Sequence, residues 1–204
     1  MASAVVAAMV LTVLLPNEVR AGPPWLLPGV EGLLLVALVL GDPGRISRRS
    51  AGLRVLSIGL VGLLAFDALW SAVRLVDELI QGGAITQSAD DLLEAGAVVW
   101  VSNNLAFALL YWELDSGGPA ARLWRPRRFP DLAFPQELSP GIAPEGWKPQ
   151  FFDYLYLAVT NATAFSPTDV MPLAGWAKSA MAVQALISLT VLGLVVARAI
   201  NVLS

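Results

Sequence analysis

The 204-residue chain is 56% hydrophobic and only 14% charged, carries a net charge of −3, and contains neither histidine nor cysteine. A soluble domain of this size keeps about a quarter of its residues charged to solvate its surface, so the composition points to an integral membrane protein. The missing imidazole and thiol groups exclude His-ligated haem, the usual zinc sites, disulfides and thiolate nucleophiles, no cofactor is expected, and the weakly acidic balance offers no basic face for nucleic acid.

The first apolar run, residues 4–15, closes at Pro16. No basic segment precedes it, and Pro16-Asn17-Glu18 follows where a signal peptidase would need small residues, so it reads as a short first span. A second run, 25–40, begins after Pro23-Pro24 and stops at Gly41-Asp42-Pro43-Gly44. A loop with Arg45, Arg48, Arg49 and, at its far edge, Arg54 leads into a long span over 53–80. The linker QGGAITQSADD carries two aspartates and no Lys or Arg, and a fourth span covers 92–112. Residues 115–149 are the long hydrophilic segment; their prolines forbid a continuous helix and predict an irregular loop. The last apolar run, 176–203, is long enough to span with some tilt.

Between that loop and the last run lies FFDYLYLAVTNATAFSPTDVMPLAGWAK, residues 151–178. A helix over 153–164 would be about 18 Å long at 1.5 Å per residue, roughly half the ~30 Å hydrocarbon core. It would then meet the polar turn Ser166-Pro167-Thr168-Asp169. A half-membrane helix, a polar return and a full span are the ingredients of a re-entrant pore loop, whose non-helical backbone must be buried in protein or line a water-filled cavity.

The segment resembles the pore helix, filter and inner helix of tetrameric potassium channels and their relatives. Asp153, Leu155 and Tyr156 open the match, Thr163 heads the filter position, Asp169 and Pro172 close it, and Lys178 begins the final helix. The last half of the chain, from Leu92 onward, also resembles a group of uncharacterised bacterial integral membrane proteins with a DYLY-like opening, an SD or TD turn, and a terminal span ending in Asn, here Asn201. The channel resemblance implies a homotetramer around the last helix, with Thr163, Ala164, Phe165, Ser166, Pro167, Thr168 and Asp169 as the pore segment and monovalent cations as the conducted species. Potassium filters use glycines so that successive carbonyls can face the ion. Here Ser166 and Thr168 replace the glycines, and Pro167 stands in the aromatic position with no N–H to give. The expected pore is therefore lined by hydroxyls and a ring of Asp169 carboxylates rather than by four carbonyl rings.

Polar residues within the spans are the other candidates, since ionisable groups at mid-membrane are expensive to place. Asp67 lies near the centre of the third span, with Arg74 seven residues later on the same face. They form part of an ion or proton pathway, or else Asp67 only pairs with an arginine to fix packing. Asn103 and Asn104 in the fourth span, and Gln184 and Ser188 four residues apart in the last, line a path or bond helix to helix.

Arginines place the loop after the second span, and equally the 115–149 loop, in the cytoplasm. A conventional pore module needs the latter loop outside. Either 151–166 spans fully, or the pore loop enters from the cytoplasm, or the orientation is inverted. The expectation is an all-α, multi-pass protein of a bacterial cell membrane, with about five spans and a half-membrane re-entrant helix. It divides into upstream spans (1–114), a proline-rich loop (115–150) and a C-terminal module (151–204). Its function is channel-like cation conduction, or secondary or proton-coupled transport through Asp67 and the asparagine pair, or a non-conducting accessory role. An enzyme is not expected; Glu113 and Asp115 are read as an ordinary helix end.

Overall fold

The computed structural model describes residues 1–41, 51–125, 128–139, 141–163 and 169–203. The chain is nearly all helix: α1 (Ala2–Leu14), α2 (Leu26–Gly41), α3 (Ala51–Gln81), α4 (Ala89–Leu114), α5 (Pro119–Trp124), α6 (Pro135–Leu138), α7 (Phe151–Thr163) and α8 (Gly175–Leu203). The exception among the described residues is a two-residue antiparallel bridge, β1 (Leu132–Ala133) with β2 (Met171–Pro172), pairing Leu132 with Pro172 and Ala133 with Met171. The proline-rich loop, expected to be irregular throughout, thus holds two short helices and one strand.

Three helices, α3, α4 and α8, are long and apolar enough to cross a membrane, so this is a membrane protein. The other two apolar helices, α1 and α2, have 13 and 16 residues, about 20 and 24 Å at 1.5 Å per residue. Helix α4 is the hub and packs against α1, α3, α7 and α8. It starts where the Ser88 hydroxyl caps the Asp91 N–H at 3.3 Å, with Asp90 and Asp91 in the first turn favoured by the helix dipole. A Cβ added at Gly96 would fall 2.9 Å from the Val195 methyls, so the closeness of α4 and α8 depends on that missing side chain.

Contacts sort the helix ends into two groups. At the first end, Arg54 of α3 donates to the Gly117 carbonyl beyond α4, Ala4 and Val5 of α1 pack with Leu38 of α2 and Leu60 of α3, and Tyr154 of α7 reaches Asp115. At the second end, Leu15 and Val19 after α1 pack with Leu79, Ile85 and Leu92, and Arg198 of α8 donates to the Thr86 hydroxyl at 3.4 Å. Helices α1, α3 and α8 therefore run from the first end to the second, and α2 and α4 run back.

Helix α7 breaks the alternation. Tyr154 packs in one cluster with Ala177, and two turns later Asn161 bonds to Met181 and Gln184, so α7 runs parallel to its sequence neighbour α8. The Leu173 N–H donates to the Asp131 carbonyl at 2.9 Å, which returns the chain to the first end before α8 begins. The start of α7 and the described residues from β2 onward therefore lie at the same end.

Candidate functional site

Two buried polar clusters lie among the long helices. The first joins α4, α7 and α8 around Gln184, which is fully buried. Its Oε1 accepts from the Tyr111 hydroxyl at 2.8 Å and from Asn161 Nδ2 at 2.9 Å. Its Nε2 donates to the Ala158 carbonyl at 2.9 Å and to Asn104 Oδ1 at 3.4 Å. One turn further along α8, Ser188 accepts from Asn103 Nδ2 at 3.1 Å. Four of the residues singled out in the sequence, Asn103, Asn104, Gln184 and Ser188, thus belong to one seam. Asn161 and Tyr111 complete it and were missed: tyrosine near a span end reads as an interface aromatic, and Asn161 lay in the half-helix.

The second cluster lies between α1, α2 and α3. Asp67 is 4% exposed; its Oδ2 accepts from the Thr12 hydroxyl at 2.6 Å, and its Oδ1 has no partner. Glu31 of α2 is 0% exposed, and neither carboxyl oxygen has a hydrogen-bond partner among the described residues. The two carboxyls are near enough for the charge of one to be felt at the other, and the charge of Arg20 reaches Asp67. Ser71, one turn beyond Asp67 on α3, adds a buried hydroxyl that is also unpartnered. Burying an ionised carboxylate costs several kcal/mol unless a counter-ion, a proton or hydrogen bonds satisfy it. Among the described residues no group of three or more acidic, His or Cys side chains could hold a metal ion. Sequence reasoning overlooked Glu31, although it is the sole ionisable residue in the run 25–40.

The remaining predicted residues lie elsewhere. Arg74 does not meet Asp67: it pairs with Asp77 at 3.0 Å and Glu78 at 3.7 Å on its own helix, and its Nε donates to the Glu18 carbonyl at 3.2 Å. Partners three and four residues away are closer on a helix than one seven away. The Thr163 hydroxyl donates to the Thr160 carbonyl of its own helix at 2.9 Å, and Asp169 is exposed beside β2. Ala164, Phe165, Ser166, Pro167 and Thr168 lie outside the described residues.

A third cluster fastens the first end. Asp115 is buried, accepts from the Tyr154 hydroxyl at 2.5 Å, the Ser116 hydroxyl at 2.9 Å and the Leu132 N–H at 3.2 Å, and lies 3.8 Å from Arg122. Ser116 takes a left-handed conformation (φ 52°) that costs a non-glycine residue about 1–2 kcal/mol. Its N–H donates to Asp131 at 2.9 Å, which helps to offset that cost. Asp115 is therefore the pin between α4, the loop and α7 rather than an ordinary helix end. Comparison with protein-family models, with curated proteins and with solved structures finds no match for this chain.

Proposed function

We propose that the protein is a multi-pass membrane carrier whose transport is coupled to occupancy of the Glu31–Asp67 pair by a proton or a monovalent cation. The observation that carries this reading is Glu31: a fully buried carboxyl without a partner, beside a second carboxyl, on helices in the apolar part of the bundle. A side chain in that position is expensive to keep and has no packing role that leucine would not serve as well. The polar seam around Gln184 ties α4, α7 and α8 into a block, against which α1 and α2 can shift. Reconstituted into liposomes, the protein should carry a flux that rises with an imposed pH or sodium gradient and saturates with substrate. Flux indifferent to every gradient would overturn the carrier reading.

In this arrangement α1, α2, α3, α4 and α8 cross the bilayer, α1 and α2 with local thinning of the lipid, and α7 is re-entrant. Among the described residues, Arg20, Arg74 and Arg198 belong to the second end, and Arg54, Arg122 and Lys148 to the first. The sequence between α2 and α3 adds Arg45, Arg48 and Arg49, and that asymmetry supports a cytoplasmic first end, with α7 entering from the cytoplasmic side.

A channel-like pore is the second reading, favoured by the parallel packing of the half-length α7 on α8. Weighing against it, the polar face of α8 is turned inward to α4 and α7, and its free face presents Leu186, Leu189 and Ile200 at 62–64% exposure. Such a surface suits lipid or another apolar face, not a water-filled cavity. The two readings differ in the side of the loop. Ser139 is exposed and the chain has no cysteine, so Ser139→Cys gives a single labelling site. An impermeant thiol reagent should label it only after cells are opened. Labelling of intact cells would restore the conventional pore orientation.

A further inference from the structure

Where α4 ends and α7 begins, a small cavity of about 40 Å³ is lined by Trp112, Pro119, Arg122, Leu123, Lys148 and Gln150, among others. Arg122 has an evident structural duty: its Nη1 donates to the Trp112 carbonyl (2.9 Å) in the last turn of α4 and to the Asp115 carbonyl (2.8 Å) just beyond it, which also accepts from the Gly118 N–H. Its guanidinium also stacks over Trp112 at 4.6 Å and Tyr154 at 5.1 Å from the ring centres. That duty leaves two donors unexplained. Arg122 Nη2 and Trp112 Nε1 are both buried and have no acceptor among the described residues. A native fold rarely leaves such groups orphaned. Lys148 donates to the Arg122 carbonyl at 3.0 Å and retains two further N–H groups. The lining residues include two cations and no carboxylate, and Asp115 behind Arg122 is already engaged by Tyr154, Ser116 and Leu132. Several donors converging on a cavity a few times the volume one water needs match the geometry of a phosphate group.

We propose that this cavity binds the phosphate of an anionic group, with Arg122 Nη2, Trp112 Nε1 and Lys148 Nζ as donors. The surroundings favour a phospholipid headgroup as the source. Leu123 and Trp124 are 43% and 59% exposed beside it, and Phe152 is 74% exposed on the first turn of α7, so apolar side chains border the polar cavity as they do at a membrane interface. Free inorganic phosphate offers the same chemistry without the acyl chains.

The test uses the full-length protein, stripped of lipid in detergent, with thermal unfolding and native mass spectrometry as readouts. Phosphatidylglycerol, phosphatidylcholine and inorganic phosphate are titrated separately. Phosphatidylglycerol should be retained as a discrete adduct and raise the unfolding temperature, with phosphatidylcholine weaker. Lys148→Gln and, independently, Trp112→Phe should each weaken it roughly tenfold, as expected for losing a hydrogen bond to a charged group. Stabilisation by inorganic phosphate alone, lost in the same variants, would establish the site with the free anion as its ligand. No adduct with any of the three, or adducts equally strong in parent and both variants, would overturn the proposal.

Discussion

Glu31→Gln is expected to abolish gradient-coupled flux while leaving the fold at least as stable as the parent. In most buried positions loss of function and loss of stability go together, because the removed group was bonded to something. Here the carboxyl oxygens of Glu31 have no partner among the described residues, so an uncharged side chain of similar shape strands nothing. Replacing a poorly satisfied buried charge with an apolar residue of matching volume is commonly neutral or stabilising by about 1–4 kcal/mol. Glu31→Leu should therefore raise the unfolding midpoint in detergent and still fail to transport. Asp67→Asn should also uncouple transport, but without the stability gain, since an amide oxygen can keep the 2.6 Å bond from Thr12. The combination of higher stability and absent coupling is the signature of a group retained for function at a cost to the fold. Coupled flux at the parent level in Glu31→Gln would remove the pair from the mechanism. A drop of more than about 2 kcal/mol in Glu31→Leu would make the residue a packing element instead.

What the sequence made legible was depth along the membrane normal, and what it hid was azimuth around each helix. Run length alone located α3, α4 and α8, and the apolar stretch after the proline-rich loop located α7, a helix of 13 residues. Asn103, Asn104, Gln184 and Ser188 could each be picked out as a polar residue in an apolar run. That they would meet, with Tyr111 and Asn161 between them, depended on which face α4 and α8 turn to each other. Hydropathy is nearly uniform around these helices and carries no such information. The pairing of Asp67 with Arg74 looked reasonable on one helix considered alone. It failed because Thr12 comes from another helix, and because Asp77 and Glu78 are nearer to Arg74. Asp115 was undervalued for a related reason: its partner Tyr154 is 39 residues away, beyond a loop that propriety of composition marks only as irregular. Glu31 was visible as an isolated charge, but its significance came from its complete burial without a partner, within reach of the charge of Asp67.

Gln184→Ala is expected to cost the fold more than any other single change in the polar seam, about 2–4 kcal/mol. The side chain serves as both acceptor and donor at one point: Tyr111 and Asn161 give to its oxygen, and its nitrogen gives to Ala158 and Asn104. Truncation leaves those groups in a dry interior and opens a cavity among three helices. Hydrogen bonds between membrane helices average only about 0.6 kcal/mol each, because the unfolded helices find other partners in lipid; four of them with a cavity term on top give the stated range. Gln184→Leu separates the two contributions by filling the space without restoring a donor or acceptor. It should recover about half of the loss if the cavity dominates, and little if stranded polar groups dominate. Tyr111→Phe, by contrast, deletes one donor and strands nothing but a shared acceptor, so it should cost about 1 kcal/mol. A double-mutant cycle on Tyr111 and Gln184 should then show coupling of roughly 0.5–1.5 kcal/mol, since the two share a 2.8 Å bond. Strict additivity would mean that α4 is held against α8 at this point by shape alone. In that case the seam would be a by-product of close packing and not the means by which α4, α7 and α8 move as one block.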